Sequence, residues 1–297
     1  MQDEMVMDKQ DNLLKNGEII TSLQKQYFQR DGFLVLKNVI SADICHALMK
    51  RANEMVDEFE MHGTNTIFST INQQHAKHQY FLDSGDKIHF FFEEGAFDAS
   101  GNLQVDKQFC INKIGHGLHE ADALFNCFSR QHKLAALTND LGYHDAKLVQ
   151  SMYIFKQPRI GGEVTCHQDA TYLATTGEPV VGLWLALEDA TLENGCLWAI
   201  PGGHKGVLKS RFIRDKNDRT YTETFDNSPW ELEKLIPLEV PRGSLIVLHG
   251  LLPHMSKENK SDKSRHAYAL HVMSGQTTFC DDNWLQLPEG KSFKGFL

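Results

Sequence analysis

The sequence predicts an α+β fold built on an antiparallel barrel or sandwich, and three observations lead there. The front of the chain carries stretches with apolar residues at three- and four-residue steps, as amphipathic helices do. After Gly142 the texture changes to short apolar runs punctuated by glycine, proline and asparagine, which reads as strands. The chain has 297 residues, enough to bury a sizeable core without disulfides or a structural metal.

Taken in order, residues 1–22 read as a loose polar lead-in and residues 23–297 as a single domain. A short helix over residues 24–28 runs into Arg30-Asp31-Gly32, where the glycine stops it. Phe33-Leu34-Val35-Leu36 is an apolar strand. Ser41 caps a long helix to about Phe59, in which Ile44, Leu48, Ala52, Met55, Val56 and Phe59 form one buried face. Residues 89–92 and 97–103 read as a strand and a tight turn. A second long helix is predicted from about Ala121 to Leu141, ended by Gly142. Strands follow at 148–155, 180–187, 196–200, 245–248 and 266–273. No internal repeat interrupts this order.

Composition narrows the function. Thirty basic against 39 acidic side chains give a net charge of −9, which argues against nucleic acid or an anionic membrane as partner. No apolar run approaches the ~18–20 residues of a membrane span, and the N-terminus lacks the apolar segment of a signal peptide. No peroxisomal or ER-retention tail stands at the C-terminus. A cytoplasmic protein is expected, with its six cysteines, which form no CxxC pair, reduced.

The chemistry-bearing motifs are few. GxSxG, the P-loop and GxGxxG after a strand are all missing, so hydrolase, nucleotide-triphosphatase and Rossmann readings lack their signatures. His167-Gln168-Asp169 is the positive signal. On an extended segment residues two apart share a side, so imidazole and carboxylate can converge on one ion. The plain alternative is a surface His–Asp hydrogen bond. His254, with Ser256 and Arg265 behind it, changes the balance. Two imidazoles and a carboxylate suit non-haem Fe(II) with open positions, whereas closed zinc sites take a fourth protein ligand. Arg265 follows His254 by eleven residues, room for a hairpin that returns its guanidinium to a carboxylate ligand. His116 and His119, three apart, would face opposite sides of a strand and read as structural. Lys205, Lys209, Arg211 and Arg214 lie in a basic stretch over residues 204–219 that reads as a solvated loop or a phosphate contact. Pro201-Gly202-Gly203-His204 reads as a turn beside the site.

With these residues in view, the chain resembles the phytanoyl-CoA dioxygenase family of Fe(II)- and 2-oxoglutarate-dependent oxygenases. The resemblance runs from about Gln29 through Leu285. It is carried by stretches such as Gln150-Ser151-Met152-Tyr153-Ile154-Phe155-Lys156-Gln157-Pro158, Ile111-Asn112-Lys113-Ile114-Gly115-His116 and Glu193-Asn194-Gly195-Cys196-Leu197-Trp198. It implies a double-stranded β-helix (jelly-roll) core with N-terminal and flanking helices. It also implies His167, Asp169 and His254 as catalytic iron ligands, and Lys113, Met152, Gln168, Trp184, Ser256 and Arg265 around 2-oxoglutarate. Arg265 and Ser256 would hold the distal carboxylate, while Met152 and Trp184 would form an apolar wall or simply pack in the core. The expected activity is conversion of 2-oxoglutarate and O2 to succinate and CO2, coupled to hydroxylation of an unidentified substrate. A non-catalytic 2-oxoglutarate or metal sensor on the same scaffold is the alternative. Oligomeric state is not legible.

Overall fold

Thr21 opens the first helix, α1 (Ser22–Asp31), with a capping box. Its hydroxyl accepts from the Gln24 amide, and the Gln24 side chain returns the bond. Gly32 ends the helix in the left-handed region at φ 81°, which a side chain would resist, and the chain turns at once into a strand. The computed structural model describes residues 6–7, 19–61, 67 and 79–296. Most of the expected lead-in therefore lies outside the described residues.

Sixteen strands and six helices are found among the described residues. In chain order the strands are β1 (Val6–Met7), β2 (Phe33–Leu36), β3 (Ile88–Phe92), β4 (Ile111–His116), β5 (Lys147–Ile154), β6 (Val164–His167), β7 (Thr175–Thr176) and β8 (Val181–Ala186). Then come β9 (Leu197–Ala199), β10 (Ser210–Arg214), β11 (Thr220–Thr224), β12 (Ile236–Leu238), β13 (Leu245–His249), β14 (His254–Ser256), β15 (Ala267–Met273) and β16 (Thr278–Phe279). After α1 the helices are α2 (Ala42–Glu58), α3 (Gln79–Leu82), α4 (Leu118–Ala121), α5 (Ala123–Ser129) and α6 (His132–Asp140).

The strands form a major sheet in the order β1-β2-β13-β8-β15-β5-β4-β3 and a minor sheet in the order β12-β9-β14-β6. All pairings are antiparallel except β1 with β2. Successive residues of the major sheet divide between its faces. Leu183 and Leu185 of β8, with Val247 and Leu270, face the helices and meet Leu48, Val56, Phe125 and Leu137. Trp184 and Ala186, with Ile246 and Ala269, face the minor sheet and meet Leu197 and Ala199. Both faces of the major sheet are thus buried, which is why its strands read as unbroken apolar runs. Two facing antiparallel sheets with helices on one outer face make the double-stranded β-helix, or jelly roll, on an α+β plan.

Two expectations are corrected. The single helix over 121–141 is two, α5 and α6, because Gln131 is extended (φ −60°, ψ 137°) and starts α6 afresh. Asp122 caps α5 by accepting from the amides of Leu124 and Phe125. His119 lies on the short helix α4, not on a strand. Its Nδ1 is 2.8 Å from Ser151 Oγ, in a buried structural contact.

Candidate functional site

The minor sheet sets the first two candidate ligands side by side. His167 ends β6, His254 begins β14, and the register pairs them directly. Gln168 keeps an extended backbone (φ −114°, ψ 135°), so Asp169, at the start of a 3-10 turn, returns to the side His167 faces. Asp169 Oδ1 then lies 3.6 Å from Nε2 of each histidine. One ligand atom from each residue falls within 4.8 Å of the others, the only such group of three among the described residues. Each imidazole is fixed by its other nitrogen. Nδ1 of His167 lies 2.8 Å from the Thr165 carbonyl and Nδ1 of His254 lies 2.9 Å from that of Leu252. A carbonyl only accepts, so both protons sit on Nδ1 and both Nε2 lone pairs point inward.

The protonation states favour a cation. Burial pushes the His254 imidazole down to about 4, so it is neutral at pH 7. Burial alone would raise Asp169, but the neighbouring His254 and His271 imidazoles hold its carboxyl well below the usual carboxylate range. Two imidazole nitrogens and one carboxylate oxygen fit a divalent metal of the non-haem iron class.

The same triad lines a cavity of about 180 Å3 between the two sheets. At one end Arg265 is buried at 1% exposure, its Nε donating to the Gly195 carbonyl at 3.1 Å and its Nη2 to Ser256 Oγ at 3.4 Å. Its guanidinium sits 5.1 Å from the centre of the Trp184 ring, a cation–π arrangement. Burial brings the guanidinium down to about 10, still charged at pH 7, while Nη1 has no hydrogen-bond partner among the described residues. A buried cation with an unused donor, facing a cavity, fits a carboxylate ligand. Lys113 Nζ stands 3.8 Å from Met152 Sδ on the neighbouring strand, and burial brings its ammonium down to about 7.

Of the residues singled out in the sequence, Lys113, Met152, Trp184, Ser256 and Arg265 line this cavity together with the triad. Gln168 does not. Its amide is fully buried and spent elsewhere, donating to the Val207 and Leu251 carbonyls at 3.1 and 2.9 Å and accepting from the Lys209 amide at 3.0 Å. It ties the ligand-bearing turn to the chain entering β10. The basic stretch is matched by acids: Lys209 with Asp226 at 2.8 Å, Arg211 with Asp282 at 2.5 Å and Arg214 with Asp218 at 2.9 Å. The Pro201–His204 turn stands beside the site, as expected: it follows β9, whose Ala199 pairs with His254, and Ile200 donates to the Pro253 carbonyl at 3.0 Å. His204 itself packs on His249, with ring centres 4.9 Å apart, and does not line the cavity.

Sequence reasoning missed His271 and Gly182. His271 Nε2 lies 3.2 Å from Asp169 Oδ2, and Gly182 pairs with His271 across β8 and β15. The signal was present: Arg265, Ala267, Ala269 and His271 alternate along one face of a predicted strand.

The chain matches the family described as Phytanoyl-CoA dioxygenase (PhyH) over residues 28–267. It is 47% identical over 268 residues to Phytanoyl-CoA dioxygenase of Arabidopsis thaliana, covering 90% of this chain and 94% of that one. It is 47% identical over 279 residues to Phytanoyl-CoA dioxygenase domain-containing protein 1 of Bos taurus, covering 89% and 94%. Among solved structures, EctD from S. alaskensis with 2-oxoglutarate and 5-hydroxyectoine aligns at a TM-score of 0.60 with 19% identity, over 88% of this chain and 78% of that one. The non-heme alpha ketoglutarate dependent carbocyclase SnoK from nogalamycin biosynthesis aligns at 0.62 with 16% identity, over 92% and 89%. The solved structures share the fold, and the nearly full-length match to the curated relatives carries the assignment: this chain belongs to the phytanoyl-CoA dioxygenase family.

Proposed function

We propose that this protein is an iron(II)- and 2-oxoglutarate-dependent dioxygenase that converts 2-oxoglutarate and O2 to succinate and CO2 while hydroxylating a small primary substrate. The observation that carries the reading is one cavity with the His167–Asp169–His254 triad in it and the buried Arg265 guanidinium at one end.

His167, Asp169 and His254 would hold the metal through Nε2, one carboxylate oxygen and Nε2. When bound, iron and 2-oxoglutarate supply the activation of O2 that side chains alone do not provide. The protein's contribution is position and environment. The Thr165 and Leu252 carbonyls keep the ligand imidazoles in one tautomer and orientation. Arg265 and Ser256 would bind the distal carboxylate of the cosubstrate, Arg265 by charge-assisted hydrogen bonds that are worth more away from water. Trp184 and Met152 wall the cavity with apolar surface, and Lys113 adds a second cation. Gln168 would act through the backbone it braces, not by touching the cosubstrate. Six unpaired cysteines suit a reducing compartment, and the cytoplasm is the location we favour. Among the described residues no helix is long and apolar enough to cross a membrane.

The test is calorimetric titration of 2-oxoglutarate into anaerobic protein loaded with Mn(II). Binding should require the metal, and Arg265→Ala should weaken it by about 2–3 kcal/mol, roughly 30- to 150-fold, the cost of a hydrogen bond to a charged group. Metal-independent binding, or an affinity indifferent to Arg265, would refute this assignment.

A further inference from the structure

The cavity extends beyond the cosubstrate end. Strand register orders it from one end to the other: Lys113 pairs with Ile154 and Ala186 with Ala267 near Arg265, whereas Gly182 and Gln150 pair with His271 near Asp169. Beyond the triad the chain continues Asp169-Ala170-Thr171-Tyr172-Leu173 into a lobe lined by Phe81, His116, Tyr172, Leu173, Phe212 and Trp284. Phe81 stacks on Trp284 with centres 4.4 Å apart, and Tyr172 tilts against Phe212 at 5.9 Å. These rings belong to a core cluster separate from the two on either face of the major sheet.

Two features define what this lobe accepts. The first is charge. Asp169 is the sole acidic residue lining the cavity, and Lys156 and Arg265 lie toward the other end, the Arg265 amide donating to the Lys156 carbonyl at 3.3 Å. The second is unused hydrogen-bonding capacity. Gln150 is 6% exposed and lines the cavity, and its amide has no hydrogen-bond partner among the described residues. The same holds for the Tyr172 hydroxyl, whose ring lies 6.1 Å from that of His167. Both polar groups therefore remain available to a ligand or a water in the cavity.

Building on the dioxygenase reading, we propose that this lobe receives the reacting end of the primary substrate, and that this end is an uncharged, carbon-rich group bearing one neutral hydrogen-bonding function, such as an amide, carbonyl or hydroxyl, met by Gln150 and Tyr172. Aromatic walls supply contact area without charge, and the two polar groups fix orientation. The cavity, at about 180 Å3, is smaller than the roughly 300–1,000 Å3 of ordinary small-molecule sites and must also admit the cosubstrate, so only one end of a larger substrate enters. The balance is R–H plus O2 plus 2-oxoglutarate giving R–OH, succinate and CO2. The O–O, substrate C–H and cosubstrate C1–C2 bonds break; one oxygen enters the substrate and the other the new carboxylate of succinate.

Lys113 stands by register toward the Arg265 end, but its side chain reaches the lobe, with Nζ 5.3 Å from the centre of the Phe91 ring, which in turn contacts His116. An anion is therefore the sharpest competitor, and the experiment contains one. Protein loaded anaerobically with Mn(II) and 2-oxoglutarate is titrated with three probes of one shape: cyclohexanecarboxamide, cyclohexanecarboxylate and cyclohexylammonium. Tryptophan fluorescence and melting temperature are the readouts. The amide should saturate, both ions should bind at least about tenfold more weakly because a charge would be buried unpaired, and Gln150→Leu or Tyr172→Phe should each weaken the amide about fivefold. Tyr172→Phe removes a single oxygen, so it keeps the test alive if Gln150→Leu fails to fold. An ion that binds as well as the amide, an amide affinity unchanged in Tyr172→Phe, or no binding by any probe overturns the proposal. Mn(II) and 2-oxoglutarate binding is measured first in the same samples. Its failure removes the dioxygenase reading and this one with it; its success with failed discrimination removes this one alone.

Discussion

Asp169 divides its two carboxylate oxygens between separate tasks. Oδ1 faces the Nε2 atoms of His167 and His254, and Oδ2 faces Nε2 of His271. With His271 Nε2 3.2 Å from Oδ2, Oδ1 is the oxygen turned toward His167 and His254, which makes His271 a candidate positioning residue. His271→Phe should lower Mn(II) affinity roughly 10- to 100-fold, the usual loss when a residue that orients a metal ligand is removed. An unchanged Mn(II) affinity, read by calorimetry on protein with a wild-type melting curve, would show that Oδ2 needs no support. Lys113 makes a pH-dependent prediction. Its cationic form attracts a carboxylate and is lost in the free protein as pH rises through about 7. Binding of 2-oxoglutarate should then weaken by up to about tenfold per pH unit above 7 while taking up a proton. Lys113→Met should flatten the dependence. A wild-type affinity that is constant from pH 6 to 9 would contradict the role.

At the scale of elements, strands β8 and β15 carry the site's precision. Gly182 pairs with His271, and a Cβ there would come within 3.2 Å of Asp169 Oδ2 and 3.6 Å of His271 Nε2. Gly182→Ala should therefore displace the carboxylate and reduce Mn(II) affinity by about tenfold or more while the circular dichroism spectrum stays wild-type. Retained affinity would mean that β8 yields to the added methyl. Much at this scale was legible. Residues 180–187 and 266–273 stand out because both faces of their sheet are buried, and Ser41 and Gly32 announce helix ends by chemistry the structure repeats. Other elements left no signal. Strand β14 is only His254-Met255-Ser256, too short to alternate, and β6 is half-exposed, so its pattern is blurred. The break between α5 and α6 falls at Arg130-Gln131, with neither glycine nor proline to mark it.

At the scale of the whole molecule, the major sheet separates stability from chemistry. Its helix-facing side holds the larger apolar core and its other side the cavity wall. Leu185→Ala, on the helix-facing side, should cost about 2–5 kcal/mol of unfolding free energy. The 2-oxoglutarate affinity of the folded variant should stay the same. A large change in that affinity, with stability preserved, would mean the two faces are coupled. The candidate site was legible as far as side-chain chemistry reaches. HxD, a distal histidine and an arginine carry their own signatures, and the fold brings them into one cavity. Gln168, His271 and Gln150 were not readable, because their roles depend on which way a side chain turns and what lies across the sheet. Gln168 looked like a cosubstrate contact from its place between two ligands, yet its amide is taken up by the Val207, Leu251 and Lys209 backbone.

The triad and the buried arginine are read here as one working oxygenase site. It is tested most directly by measuring succinate formed from 2-oxoglutarate in air, with and without Fe(II), using wild type beside Asp169→Ala. Wild type should form succinate in an iron-dependent way and Asp169→Ala none above background, with a melting curve that remains cooperative. Equal succinate from both proteins would contradict that reading. So would none from a wild type that binds 2-oxoglutarate with Mn(II), which would leave a binding protein in place of an enzyme.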